Sequence, residues 1–352
     1  MSHSRGVLKM IAKIREANLR IFVMGNKGYA SKILQTLLLR KVDVVGICCR
    51  KDYPLRVKLK ESVRAKVIKW GLYNKELFQF QNPFERYESP RKIAASNRIP
   101  VLYAGAIKKP EFENTLRMLN PDLILVAGFH RLIPANIIRI PKLAIINFHP
   151  SLLPKHRGGT PNRWIIRNGE KETGITVHFL DEKFDTGDII CQEKIDVNPN
   201  DTWGDVEHRL VDLSIVLLDQ ILEKIKKGTL NGTPQQECLA TYESSYKGDH
   251  TVIDWSLSAH EIKQICYAIK PLSGGMTKLG MNKFCIWEVI ELERHDPNAS
   301  PGEIIEIDNE NCPIVACGEG QIKIVQFLSN GRIVRASKIV KQMKLQRGFS
   351  FY

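Results

Sequence analysis

Two short apolar runs, RIFVMG at 20–25 and VDVVGICC at 42–49, enclose the stretch NKGYASKILQTLLLR, in which Ile33, Leu34, Leu37 and Leu38 recur at helical spacing. Strand, glycine-bearing turn, helix and strand in that order make a βαβ unit, whose right-handed crossover sets the two strands parallel. IPVLYA ends a third strand near Tyr103, PEFENTLRMLN reads as a helix, and PDLILVAGF and LAIINFH supply two more strands. Such runs are apolar throughout instead of alternating, as strands covered by helices on both faces must be. The expected fold class is α/β: a Rossmann-like, mostly parallel sheet with flanking helices. Open sheets of this kind place ligands beyond the C-terminal ends of their strands. Gly25 and Gly28 form a GxxG that lacks the third glycine of a dinucleotide fingerprint, so tight-turn packing is preferred over phosphate binding.

Further along, NRWIIRNGE suggests a helix, and TGITVHFL and GDIICQEKIDV two strands. DTWGDVEHRLVDLSIVLLDQILEKIKKG then places Val206, Leu210, Leu213, Leu217 and Ile221 on one helical face, with Gly228 as the stop. Residues 1–18 read as an N-terminal extension, 19–228 as the first domain and the polar stretch 229–251 as a linker. Within 252–352 the texture changes: SAHEIKQICYAI is helical, and KFCIWEVIEL, GEIIEI, PIVACG and QIKIVQFL alternate in short segments. A small C-terminal β-barrel, OB-like, is expected there.

Charge bears on partners. The 352 residues carry a net charge of +14, which attracts polyanions. Between residues 50 and 69 lie Arg50, Lys51, Arg56, Lys58, Lys60, Arg64, Lys66 and Lys69 against Asp52 and Glu61. Beyond Glu319 there is no acidic residue, while Lys323, Arg332, Arg335, Lys338, Lys341, Lys344 and Arg347 are basic. The surfaces 50–69 and 323–347 are therefore candidate phosphate contacts, each with a solvated basic face as the plain alternative. The eight cysteines show no zinc spacing, so no metal is expected and a reduced compartment is the simpler reading. No apolar stretch approaches the ~20 residues of a membrane span. A soluble, cytoplasmic protein is expected.

The chemistry concentrates in NFHPSLLPKHRGGT at 147–160. Acyl transfer needs a donor for a developing oxyanion and a group that manages protons. Asn147 and His149 stand two apart at a strand end, so both side chains face one way. Asp185, in the turn of FLDEKFDTGD, offers a carboxylate to stabilise an imidazolium at His149 and raise its pKa. Taken alone, a histidine such as His149 is more often a packed or solvated imidazole than a catalyst, and Asp185 reads as well as an Asx turn or cap.

Asn147-x-His149, SLLP, the following RG and ETGITVHFLDEKFDTGDII together resemble the signature of the 10-formyltetrahydrofolate-dependent formyltransferases. VIDWSLSAHEIKQICYAIKPLSG and ASPGEIIEIDNENCPIVACGEGQIKIVQFL are similar to the C-terminal domain of that family's tRNA and amino-sugar branches. The resemblance implies that Asn147 stabilises the oxyanion, His149 shuttles the proton and Asp185 tunes His149. It implies a folate, 10-formyltetrahydrofolate, held by Gly128, Phe129, Leu132 and Ile133, by Ser151, Leu152, Leu153 and Pro154, and by Leu180, Asp181, Glu182, Lys183 and Phe184. Lys155 to Thr160 would lead toward the acceptor. The glycinamide ribonucleotide branch has one domain and a D-x-G-P turn, unlike DTGD here, and is set aside.

Three readings follow. A nucleotide-linked amino sugar as acceptor is favoured by His178 and Phe179, where the tRNA enzymes carry Met and Gln, and by GTPNRWIIRNGE. The segment 50–98 also lacks the pattern of the tRNA enzymes. Gly159, where the aminoarabinose enzyme carries Arg, counts against that one sugar. Methionyl-tRNA is the alternative, favoured by the two basic surfaces. The third is an inactive folate- or RNA-binding homologue. The family also implies a homodimer.

Overall fold

The computed structural model describes residues 19–26, 28–51, 86–294, 296–329 and 332–352. The extension 1–18 and most of the basic run 50–69 lie outside the described residues.

Strand β1 (Arg20–Gly25) leads through helix α1 (Tyr29–Leu39) to β2 (Asp43–Cys49), the βαβ unit expected from the sequence. Helix α2 (Pro90–Ser96), β3 (Val101–Tyr103), α3 (Pro110–Leu119), β4 (Leu123–Ala127), the short α4 (Ala135–Ile138) and β5 (Ala144–His149) continue the alternation. After the two-residue strand β6 (Arg157–Gly158) come α5 (Pro161–Arg167), β7 (Glu172–Phe179), β8 (Ile189–Asp196) and the long α6 (Trp203–Lys227). The main sheet runs β3-β2-β1-β4-β5-β7-β8. Its first five strands are parallel, and β7 and β8 are antiparallel additions.

Period-2 alternation assigns each residue of the inner strands to one of two layers. Ile21 and Val23 of β1, with Leu123 and Leu125 of β4, face the layer that α1 and α6 cover. Phe22, Met24, Ile124 and Val126 face the other, which holds Phe112 and Leu116 of α3. At the strand ends β1 and β4 approach so closely that a Cβ on Gly25 would lie 1.9 Å from the Ala127 carbonyl oxygen. The glycine is there for backbone packing. Helix α6 opens on a capping box between Thr202 and Asp205 and ends where Gly228 turns left-handed at φ 73°.

Past the two-residue strand β9 (Tyr242–Glu243), the second unit begins with α7 (Ala259–Tyr267), which packs against α5. It continues through β10 (Gly275–Leu279), β11 (Asn282–Leu292), β12 (Ile304–Ile307), β13 (Pro313–Ala316), β14 (Gln321–Ser329), β15 (Arg332–Arg335) and α8 (Ala336–Met343). These strands form an antiparallel sheet in the order β10-β11-β14-β13-β12, with β15 on β14. Its two edges are joined by the last residues. Gly348 and Phe349 hydrogen-bond to Ile304, Phe351 to Gly302, and Tyr352 exchanges two 2.9 Å bonds with Lys278. The expected barrel is thus closed by a tail that is not itself a regular strand. Among the described residues, no helix is long and apolar enough to cross a membrane.

Candidate active site

Strand β5 ends beside the point where strand order reverses around β1 and β4, and its C-terminal residues include Asn147 and His149. In register with it, β7 sets His178 directly opposite Asn147. The loop from β7 to β8 brings back Asp185, so three separate stretches converge.

Asn147 Nδ2 lies 3.3 Å from Asp185 Oδ1 and 3.2 Å from His178 Nε2. His178 Nδ1 is 2.8 Å from the Phe179 carbonyl, an acceptor, so Nδ1 carries a hydrogen and the Nε2 lone pair faces the Asn147 amide. That chain fixes which way the amide points. His149 Nε2 donates to the His156 carbonyl at 2.9 Å, leaving Nδ1 as the proton acceptor, 3.5 Å from Asp185 Oδ1. Asp185 Oδ2 accepts from the Gly158 N–H at 2.9 Å. Burial alone would raise Asp185, but His149, His178 and the Gly158 N–H outweigh it and hold the carboxyl well below the usual range. Asp185 stays ionised.

His149 is 4% exposed, and its burial lowers the imidazole pKa more than Asp185 and the His156 carbonyl raise it. The net rise expected from the sequence is therefore not found: desolvation of the ring outweighs the carboxylate. A neutral His149 at neutral pH has an open proton-accepting site, with a carboxylate placed to stabilise the imidazolium once formed. Asp185 is not the Asx turn either. That role falls to Asp181, whose Oδ1 accepts from Lys183 N at 3.0 Å and whose Oδ2 accepts from Thr186 Oγ1.

The other sequence candidates fall into two groups. Ser151 and Leu153 are buried and hold the loop: Ser151 Oγ donates to the Lys155 carbonyl, and the Leu153 N–H donates to Thr176 Oγ1. Ile133 is buried, and Phe129 and Leu180 pack with it in the same apolar layer. Leu152 and Pro154 are half-buried, as is Gly128, whose carbonyl accepts from Asn26. By contrast, Leu132 and Phe184 stand exposed at 46% and 59% on two of the three loops expected to hold a folate. Lys183 is exposed, and Glu182 pairs with Arg139.

The loop 155–160 is not an open basic surface. Lys155 is exposed, but His156 is buried between Glu170 at 2.8 Å and Glu243 at 3.2 Å. The Arg157 side chain is fully buried and bound to Gln235, Glu237 and Tyr242. A Cβ on Gly159 would lie 2.6 Å from Ser245 Oγ and 3.3 Å from its Cα, so no longer side chain fits here without displacing the 244–246 backbone. Likewise Lys323 is engaged by Asp308 and Glu310, which removes it from the tail's free charge. Those two carboxylates cluster with Cys312, and the Lys323 ammonium already supplies their cation.

Sequence reading missed His178 as a member of the centre, as well as Gln235 and Glu237. For His178 a signal existed: it sits on the strand after the Asn147 strand, seven residues before Asp185.

Comparison with known proteins gives the family and the fold. A family profile described as formyl transferase matches residues 17–222, and one described as the formyl transferase C-terminal domain matches 247–344. The methionyl-tRNA formyltransferase of Acetivibrio thermocellus is 31% identical over 317 residues, covering 90% of this chain and 94% of that protein. That of Marinobacter nauticus is 31% identical over 307 residues, covering 87% and 90%. Among solved structures, a sugar 3N-formyl transferase in the presence of dTDP and 5-N-formyl-THF gives a TM-score of 0.62 at 19% identity, covering 89% of this chain and 98% of that one. An N-formyltransferase from Helicobacter canadensis, in complex with folinic acid and dTDP-3-aminofucose, gives 0.61 at 18% identity, covering 87% and 98%. At these identities the structural likeness speaks for the fold.

Proposed function

The chain belongs to the formyl transferase family and is a formyltransferase; from that premise we propose that it moves a formyl group from 10-formyltetrahydrofolate to the primary amine of a nucleotide-linked amino sugar. The observation that carries the choice of acceptor is His178. The residue by which the sequence departs from the tRNA branch lies in the centre itself, 3.2 Å from Asn147 and 3.6 Å from Asp185. The domain limits 19–228 and 252–352, with 229–251 between them, belong to the same reading.

In this mechanism the acceptor amine is the nucleophile, so no serine or cysteine needs activation. Asn147 donates to the formyl oxygen as it gains charge by turning to it the Nδ2 hydrogen that faces Asp185 Oδ1 at 3.3 Å, while its other hydrogen stays on His178 Nε2. His149 takes on Nδ1 the proton that the attacking amine must lose, Asp185 stabilises the resulting imidazolium, and that proton passes to N10 as the formyl C–N10 bond breaks and tetrahydrofolate leaves. The exposed Leu132 and Phe184 suit the flat, partly apolar ring system of a folate.

Methionyl-tRNA is the second reading, supported by the full-length relatives and by one surface feature. Arg335, Lys338, Lys341, Lys344 and Arg347 stand three residues apart and are all exposed along α8 and its flanks. Purified protein offered 10-formyltetrahydrofolate with methionyl-tRNA or with a panel of dTDP-, UDP- and GDP-linked amino sugars, read by product mass, decides between them. A formylated sugar is expected. Formylated methionyl-tRNA, with rates falling steeply in salt as phosphate contacts require, would establish the second reading, and no product with any acceptor would favour an inactive homologue.

A further inference from the structure

The stretch from Thr233 to Glu243 joins the two catalytic loops. Thr233 exchanges backbone hydrogen bonds with Ile189, at 2.9 and 2.8 Å, where the 181–188 loop ends. Two residues on, Gln235 Nε2 donates to the carbonyls of Asp185 and Gly187, each at 2.8 Å, while its Oε1 accepts from Arg157 Nη2 at 2.8 Å. Glu237 receives Arg157 through both carboxylate oxygens, at 2.9 and 2.7 Å. Thr241 Oγ1 accepts from the His156 N–H, and its carbonyl accepts from the Arg157 N–H. Tyr242 and Glu243, as strand β9, then pair with β6. A Cβ on Gly158 would lie 2.4 Å from the Glu243 carbonyl oxygen, so the backbones touch.

The groups held in this way are those that orient the acid–base pair. The His156 carbonyl receives His149, the Gly158 N–H supports Asp185, and the Asp185 backbone itself is gripped by Gln235. His156 and Asp185 both sit at positive φ, 57° and 55°. Such conformations are unfavourable in a non-glycine residue and persist only where the surroundings enforce them.

We propose that Thr233–Glu243 is a strap belonging to the catalytic centre, with Gln235 as the positioning residue that sets Asp185 against His149 and the Arg157–Glu237 pair as its anchor. None of these groups meets the reacting atoms. Their effect passes through the placement of Asp185 and His149, and its kinetic consequence rests on the formyl-transfer reading.

Gln235→Ala removes the grip on Asp185, and Gln235→Asn shortens it by one carbon. If Asp185 drifts, His149 loses the group that raises its pKa, so its titration moves to lower pH. The expected result for Gln235→Ala is a kcat lower by about 10- to 100-fold with both KM values within about threefold, the pattern of lost positioning. The acidic limb of the pH–rate profile shifts downward with it, and the NMR titration of the His149 ring, identified by its absence in His149→Gln, shifts in the same direction. A fold that is merely loosened would lower the melting temperature without moving that titration. Glu237→Gln keeps the shape of the anchor and removes its charge; if Gln235→Ala fails to fold, this variant carries the test with the same direction of change. Unchanged kcat and unchanged His149 titration in the folded variants would overturn the strap. Absence of formyl transfer by the unaltered protein would overturn the reaction, while the titration of His149 still decides the strap.

Discussion

In the proposed reaction Asn147 and His149 act on the same carbonyl from one strand end, so each truncation should remove a different part of it. Asn147→Ala loses the oxyanion donor, and His149→Ala loses the proton acceptor. Removing one such donor costs ~10²–10³ in kcat, and both variants are expected to fall at least that far in a mass-based formyl-transfer assay while remaining folded. Substantial turnover by either would disprove the assignment. This pair was legible in the sequence because strand periodicity alone puts residues two apart on one face. Asp185 was legible once a second strand was recognised. His178 was harder: its place depends on the register between β5 and β7, which no local pattern states. Gln235 and Glu237 gave no local signal, because each acts on a residue about fifty or more positions upstream from a polar, turn-rich stretch.

Helix α6 shows how an element can carry both stability and a cost. Its buried face includes Glu207, 2% exposed, which accepts from Asn162 of α5, with Tyr29, Trp203 and Arg163 also around it. Burial pushes this carboxyl up to about 8, against the pull of Tyr29, Arg163 and Trp203. An acid whose folded pKa is raised is most favourable to the fold below its unfolded value of ~4.3, and its contribution is lost as pH climbs through the folded one. Glu207→Gln keeps an acceptor for Asn162 and removes the ionisation. Its unfolding free energy in urea should match the parent's near pH 4 and exceed it at pH 9 by on the order of 3–5 kcal/mol at most; identical pH dependence in the two proteins would refute the buried ionisation. The helix itself was plain in the sequence, from the spacing of Val206, Leu210, Leu217 and Ile221 to the stop at Gly228. The central strands were plain too, since continuous apolar runs admit few alternatives. Strands β10 and β15 and helix α8 were not, being short and set by neighbours instead of by their own pattern.

On the scale of the whole molecule, the second unit depends on residues far from its strands. Phe351 is 2% exposed, stacks on Trp255 with centroids 5.6 Å apart and meets Phe284 edge-on at 5.7 Å. It anchors the tail that bridges β12 and β10. Phe351→Ala is expected to destabilise by ~3–5 kcal/mol, as truncations of buried aromatics do, seen as a lower denaturation midpoint of the C-terminal unit; a change below ~1 kcal/mol would mean that the tail does not close the barrel. The aromatic anchor was invisible in sequence because FSFY carries no strand signature. A different whole-molecule property follows from how the thiols are distributed. Cys48, Cys49, Cys266, Cys285, Cys312 and Cys317 are buried, and Cys191 is half-buried. Burial pushes Cys191 up to about 11 and Cys266 and Cys317 up to about 12, so little of the reactive thiolate exists there near neutral pH. Cys238 alone of the eight is exposed, between the anchor Glu237 and Leu239. The native chain therefore brings its own attachment point for a fluorophore or spin label, placed by nature on the segment whose movement would be worth watching during turnover.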